Sequence, residues 1–175
     1  ALYHARIPND TEVTPETLRR MEQDLPTAAA LLPGNFGFDA IGYGCTSGTT
    51  MIGEERVSEI LRATHPTART SNPLSACKAA LAALRVRRIA LITPYAPDVT
   101  REMQDNLQAA GIEINAVATF DQGDDFVVAR ITSAAIRDAI LTIGARDDCD
   151  AVFVSCTSLR ALPVIAETEA QLGKP

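Results

Sequence analysis

The sequence predicts an α/β protein built on parallel strands. Short apolar runs that are typical of buried strands, such as IALIT and AVFVS, alternate with segments of helical periodicity. This alternation is typical of a parallel sheet covered by helices on both faces. In addition, the pattern Asp-Ala-apolar-x-x-x-Cys-Thr-Ser occurs at residues 39–47 and again at 150–158. The repeat predicts two similar lobes, 1–84 and 85–175.

The predicted elements of the first lobe follow from local signals. Thr14-Pro15-Glu16 supplies an N-cap, a proline at the first helical position and a first-turn carboxylate, so a helix is expected to run to about Leu32. Three apolar residues of a second helix, Val57, Ile60 and Leu61, share one face. The elements expected in this lobe, in order, are the strand LYHARI, the first helix, the strand FDAIGYG, the helix GEERVSEILRA, a short strand through Ala68 to Ser71 and the helix LSACKAALAAL.

The second lobe is predicted to begin with a buried strand and to continue the same alternation. Gly111 closes its first helix and Gly144 its second. The elements expected here, in order, are the strand RRIALITPY, the helix VTREMQDNLQAAG, the strand IEINAVATF, the helix TSAAIRDAILTIGA, the strand DAVFVS and the helix LRALPVIAETEAQLG.

Composition and charge exclude several classes of protein. The chain has 175 residues, 46% of them hydrophobic, and a formal net charge of −6. This negative balance argues against nucleic acid or an anionic membrane as a partner, and no apolar run is long enough to span a bilayer. No CxxC pair or cysteine–histidine spacing indicates zinc. We expect a cytoplasmic protein with reduced thiols and with neither metal nor cofactor; a homo-oligomer is compatible with the sequence.

The repeated cysteines are the candidate catalytic residues. Cys45 and Cys156 each follow an apolar strand, and ligands of open α/β sheets bind at the carboxyl ends of the strands. A polar turn that leads into a helix follows each of them, so its backbone N–H groups and hydroxyls can hold a carboxylate and favour a thiolate. The expected carboxylate-binding residues are Thr46, Ser47 and Gly48 after the first cysteine, and Thr157 and Ser158 after the second.

A cysteine at a strand end is, on its own, more often a small buried apolar residue than a catalyst. The repeated Cys-Thr-Ser argues against that interpretation for Cys45 and Cys156, because core packing does not require it. Cys77, in an alanine-rich helix, and Cys149, beside two aspartates, are predicted to be structural. The two histidines, His4 and His65, are expected at the surface or in loops.

Four motifs give the chain a resemblance to a known group of enzymes. They are Cys45-Thr46-Ser47-Gly48, Thr93-Pro94-Tyr95, Val128-Ala129-Arg130-Ile131 and Ser155-Cys156-Thr157-Ser158. In combination they resemble the aspartate/glutamate racemase superfamily, within it the branch of maleate cis–trans isomerases, arylmalonate decarboxylases and ectoine-utilisation proteins. The last group is the most similar, through GCTSGTTMIGEERV and VSCTSLRALPVIAETEAQLGKP.

The resemblance implies two flavodoxin-like lobes related by a pseudo-twofold axis, with the active site between them. It implies that Tyr95 hydrogen-bonds a substrate carboxylate; the alternative is a packing role for this ring. Asn72, at another strand end, is assigned a substrate-binding role. Members of the group also carry a further N-terminal strand and continue past the position of Pro175, so the first lobe is expected to lack its first strand and its C-terminal return.

Two departures from the group bear on the reaction. Arylmalonate decarboxylases keep only the second cysteine and have glycine at the first, whereas this chain has both Cys45 and Cys156. Maleate isomerases are expected to carry asparagine before the Val-Ala-Arg-Ile segment, where this chain has Asp124-Asp125. A carboxylate at that position would repel a second substrate carboxylate.

The predicted function is a cofactor-independent isomerase of a small carboxylate that uses both cysteines. Two reactions suit them: racemisation, in which one thiolate removes an α-proton and the other thiol returns one, or cis–trans isomerisation, in which Cys45 adds to an alkene and Cys156 acts as the acid. The alternatives are an arylmalonate decarboxylase-like enzyme and a non-catalytic two-lobe carboxylate-binding protein. A thiol redox enzyme is disfavoured, because sulfurs on opposite faces of a substrate are too far apart to form a disulfide.

Overall fold

The computed structural model describes residues 1–175 and confirms the α/β prediction. Its strands are β1 (Ala40–Gly42), β2 (Arg69–Ser71), β3 (Arg88–Thr93), β4 (Glu113–Thr119) and β5 (Ala151–Val154). Its helices are α1 (Pro15–Ala30), α2 (Thr46–Ile52), α3 (Glu54–Thr64), α4 (Pro73–Leu84), α5 (Pro97–Ala109), α6 (Asp125–Val128), α7 (Ser133–Gly144) and α8 (Ile165–Leu172), the last preceded by a 3₁₀ turn at Leu162–Val164.

The chain forms two compact units, Ala1–Ala76 and Cys77–Pro175. The division falls within α4, eight residues before the boundary at 84 that the repeat predicts. None of the helices is long and apolar enough to cross a membrane.

The first unit packs helices against a short parallel sheet. Strand β1 pairs in parallel with β2, and Ile41 lies opposite Thr70. Helix α1 packs against α2 and α3. The predicted apolar face of α3 is confirmed, since Val57, Ile60 and Leu61 are its buried residues. The first unit therefore holds the end of β1 against the start of α2.

One expectation for the first unit is wrong. LYHARI forms no strand: residues 1–9 lie in neither a helix nor a sheet, and Leu2 is 94% exposed. The Tyr3 ring instead packs on Phe36 and Phe38, at centroid distances of 5.1 and 5.6 Å, so aromatic contact rather than strand pairing holds this segment. His65 lies in a loop, as expected, and it is buried there, with its ring hydrogen-bonded to the carbonyl of Ala29 at the end of α1.

The second unit is built on a three-stranded parallel sheet in the order β4-β3-β5. Every residue of β3 from Ile89 to Thr93 is buried, as expected of a central strand. Helix α7 packs against β5 and α8. The sheet therefore brings the end of β3, which leads to Tyr95, beside the end of β5, which leads to Cys156.

Shortening a side chain of the central strand tests this packing. Leu91→Ala removes fully buried methyl groups of β3 and is expected to lower the free energy of unfolding by about 2–5 kcal/mol. Val117→Ala on β4, where the side chain is 40% exposed, is the control and should cost less than about 1 kcal/mol. Urea unfolding followed by circular dichroism measures both. Equal losses would contradict the position of β3 at the centre of the sheet.

Candidate active site

Cys45 is the N-cap of α2, and its sulfur takes the capping role. Strand β1 ends three residues earlier, and the Cys45 backbone is extended. Its Sγ accepts a hydrogen bond from the backbone N–H of Gly48 at 3.3 Å, and the Ser47 hydroxyl lies 3.7 Å from the same atom. A side-chain acceptor at this position satisfies a helix N–H that has no intrahelical partner. The geometry therefore directs the backbone N–H of Gly48 at the sulfur, at the N-terminal end of the helix.

Tyr43 supports the same sulfur from the core of the first unit. Its side chain is 6% exposed. The pKa of Tyr43 is raised well above its ordinary value, first by burial, then by the nearby Cys45 sulfur and by the hydrogen bond between them. The phenol therefore stays protonated and available as a donor. Its oxygen also lies 3.5 Å from the Met21 sulfur; a thiolate is the stronger acceptor of the single proton, because it is charged.

Glycine is the one residue type that fits at position 48, against Cys45 and Tyr43. A Cβ built at Gly48 would lie 3.0 Å from the Cys45 sulfur and would collide with the Tyr43 hydroxyl. The close approach of the α2 backbone to the sulfur therefore needs glycine.

Cys156 lies two residues beyond the end of β5, in a turn rather than at the start of a helix. Its φ is +124°, a conformation that residues with a side chain rarely adopt. Such strain costs about 1–3 kcal/mol and persists where surrounding contacts impose it. The backbone N–H of Ser158 points to the sulfur at 3.4 Å. The polar turn is thus the same in sequence as that after Cys45, but its backbone differs.

Burial makes Cys156 a weaker acid than an ordinary cysteine. The desolvation of its half-buried side chain raises its pKa, and this effect outweighs the hydrogen bonds from Tyr95 and from the backbone N–H groups of Ser158 and Leu159, which lower it. A nearby carboxylate, Asp125, raises the pKa further. The expectation that the turn activates both sulfurs is therefore wrong for Cys156, which stays a thiol at neutral pH.

Tyr95 is buried and lies beside Cys156. It follows β3 and is 2% exposed. Its carbonyl accepts hydrogen bonds from the hydroxyls of Thr100 and Thr119, at 3.3 and 2.5 Å. The Tyr95 hydroxyl bonds the Cys156 sulfur. This contact is additional to the substrate-binding role predicted for Tyr95. Each of the two candidate sulfurs therefore has a buried tyrosine hydroxyl beside it.

The other predicted binding residues differ in how far they are buried. Thr46 and Ser47 are buried in the first turn of α2, and Thr157 is exposed in the turn after Cys156. Ser158 is half-buried and donates its hydroxyl to Asp125 at 3.2 Å. Asn72 is buried, and its amide bonds both the N–H and the hydroxyl of Ser75, so it caps the start of α4.

The remaining cysteines do not share these surroundings. None of the four cysteines forms a disulfide, and Cys149 is buried with its thiol against the carbonyls of Ile143 and Arg146. Cys77 is half-buried in α4. No group of three or more His, Cys, Asp or Glu side chains is placed to hold a metal ion.

Sequence reasoning missed two residues of the site as contacts of the sulfurs. Tyr43 is expected from the sequence only as part of a strand. Asp125 was noted as a departure from the family but was not placed beside Cys156. Neither contact follows from spacing, because each depends on the direction in which a side chain leaves the backbone.

Comparison with known proteins gives matches along the whole chain. The sequence model of the arylmalonate decarboxylase family matches residues 12–175. A maleate isomerase of Pseudomonas putida is 23% identical over 180 residues, which cover 99% of this chain and 72% of that protein.

Two solved structures extend these matches to the fold. The maleate isomerase Iso of Pseudomonas putida S16, a Cys-to-Ala variant with maleate, matches with a TM-score of 0.82 at 25% identity, over 95% of this chain and 69% of that one. An arylmalonate decarboxylase with Gly-to-Cys and Cys-to-Ser mutations, in its liganded form, matches with a TM-score of 0.84 at 25% identity, over 94% and 71%. The similarity to ectoine-utilisation proteins stays a prediction.

Gly48→Ala tests the support of Cys45. The added methyl group displaces the Tyr43 hydroxyl and the Cys45 sulfur, so the sulfur loses its hydrogen bonds from Tyr43 and Gly48, and alkylation of Cys45 by iodoacetamide should slow about tenfold. Peptide mass spectrometry measures the rate at each cysteine. Gly44→Ala is the matched control, because a Cβ there meets no atom within 4 Å. An unchanged rate for Gly48→Ala would contradict the proposed packing.

Tyr95→Phe tests the surroundings of Cys156. The Tyr95 hydroxyl lowers the pKa of this thiol, so its removal should raise the pH midpoint of Cys156 alkylation, from a starting point already above that of an ordinary cysteine. Tyr3→Phe, in the ring cluster of the first unit, should leave the midpoint unchanged. A midpoint that stays the same or falls in Tyr95→Phe would show that the hydroxyl does not bond the sulfur.

Proposed function

Because the chain belongs to the arylmalonate decarboxylase family, we propose that it is a cofactor-independent isomerase in which Cys45 and Cys156 act on one small carboxylate. Its similarity to maleate isomerases along nearly its whole length makes it an isomerase. The observation that supports the division of roles is the difference between the two sulfurs. Cys45 accepts hydrogen bonds at a helix N-terminus, whereas burial raises the pKa of Cys156 and keeps it a thiol.

This difference provides one nucleophile or base and one acid. In an isomerisation of the maleate type, the Cys45 thiolate adds to one alkene carbon, and the π electrons move to the other carbon, where the adjacent carbonyl group delocalises them. The Cys156 thiol donates its proton to that carbon. The former double bond is now single and rotates. The Cys156 thiolate then removes a proton from the same carbon, the double bond re-forms in the trans geometry, and Cys45 leaves as a thiolate.

Racemisation would use the same starting states. The Cys45 thiolate would remove the α-proton of a carboxylate, the electron pair would delocalise into the carboxylate as an enediolate, and the Cys156 thiol would protonate the opposite face. The reverse reaction would need the opposite pair of states. We favour the maleate-type reaction, because two maleate isomerases match 99% of this chain in sequence.

Single serine variants distinguish the two reactions. For the maleate type, intact mass spectrometry with a small unsaturated carboxylate should show no adduct on Cys45→Ser, but an adduct that accumulates on Cys156→Ser, where the acid is missing. For racemisation, neither variant forms an adduct and both lose turnover, because serine is neither a competent base nor a comparable acid at neutral pH. An adduct on Cys45→Ser would contradict the assignment of the nucleophile.

Two controls complete this experiment. Cys77→Ser and Cys149→Ser change the same atom outside the site and should keep the wild-type activity, provided that thermal unfolding shows them to be folded. Release of carbon dioxide from an arylmalonate by the wild type, without isomerisation of any unsaturated carboxylate, would instead assign the decarboxylase activity for which the family is named.

A further inference from the structure

The Asp125 carboxylate is linked to the Cys156 sulfur through a single residue, Ser158. Asp124 caps α6 by accepting the backbone N–H groups of Phe126 and Val127, and this fixes the start of the helix at Asp125. The Asp125 Oδ1 accepts the Ser158 hydroxyl at 3.2 Å, while the backbone N–H of Ser158 points to the Cys156 Sγ at 3.4 Å. Ser158 therefore connects the carboxylate to the sulfur.

The charge of Asp125 acts on the Cys156 thiol and on any substrate group that lies beside it. Burial is the first cause that raises the pKa of the Cys156 thiol, and the Asp125 carboxylate is a further one, so the two groups interact. Asp125 and Ser158 are both half-buried, and charges that are partly removed from water interact more strongly than exposed ones. A second anion brought to Cys156 would therefore meet repulsion, whereas a hydrogen-bond donor would meet an acceptor.

We propose that Asp125 determines the substrate class at Cys156: the group that the substrate presents there is an N–H donor, an amide or an ammonium, and not a second carboxylate. The inference rests on the proposed function, since it concerns the substrate of the same cysteines. The other end of the substrate is the carboxylate of the proposed function. The substrate is then the monoamide of a short dicarboxylate or a small amino acid, and Asp125 is a specificity-determining residue.

The size of the effect follows from the charges. Two like charges several ångströms apart near a protein surface repel strongly enough to weaken binding about a hundredfold. Asp125→Asn removes the charge and supplies a donor in its place, with almost no change in shape. It should therefore reverse the preference, so that a second carboxylate is accepted.

Binding of two saturated ligands measures the preference without any reaction. Succinate and its monoamide succinamate differ only at one end and have no alkene for a thiolate to attack. By isothermal titration calorimetry, the wild type should bind succinamate more tightly than succinate. Asp125→Asn should shift the ratio of the two dissociation constants about a hundredfold toward succinate. Asp124→Asn carries the same change of charge one residue away and should shift the ratio less than about threefold; thermal unfolding establishes that both variants are folded.

Each outcome decides the inference. A wild type that prefers succinate, that binds neither ligand, or whose ratio is unchanged in Asp125→Asn overturns it. A separate assay of maleamate isomerisation by proton nuclear magnetic resonance tests the proposed function. If the ratio shifts as expected while maleamate and other small carboxylates stay unreacted, the specificity role stands and the isomerase proposal fails. If isomerisation occurs while the ratio does not shift, Asp125 has no such role.

Discussion

The hydrogen bonds received by two sulfur atoms are the interactions on which the rest of the site depends. At Cys45 the donors are a helix N–H and a buried phenol, and at Cys156 they are a turn N–H and a second buried phenol. Parallel strands make this arrangement available, because the chain leaves each strand at its carboxyl end with unpaired N–H groups ahead. The glycine at 48 is a consequence of the close approach of the α2 backbone to the Cys45 sulfur.

Small differences around the two sulfurs give them different chemistry. The Cys45 sulfur caps a helix, whereas Cys156 lies in a strained turn, where burial raises its pKa and the charge of Asp125 is near. The repeated sequence motif thus gives the two sulfurs different surroundings. An isomerase without a cofactor needs this difference, because its reaction requires a base or nucleophile and an acid at the same time.

Periodicity was sufficient to predict most elements and the position of both cysteines at strand ends. It failed for LYHARI, because a strand needs a pairing partner and local sequence does not supply one; Tyr3 packs on other aromatic rings instead. The repeat predicted equal thiols, but protonation depends on burial and on contacts from distant residues. Neither the donor role of Tyr43 nor the position of Asp125 is encoded in spacing, since both depend on tertiary packing.

Exchange of solvent deuterium into a small carboxylate tests the central claim most directly, namely that both sulfurs carry the reaction, Cys45 as the nucleophile and Cys156 as the acid. The account predicts that the wild-type protein in D2O labels and isomerises an unsaturated monocarboxylic amide such as maleamate. It also predicts that a folded Cys45→Ser/Cys156→Ser variant does neither, with nuclear magnetic resonance following both signals. Full activity in that double variant would contradict the account and would leave the repeated Cys-Thr-Ser as a carboxylate-binding turn only.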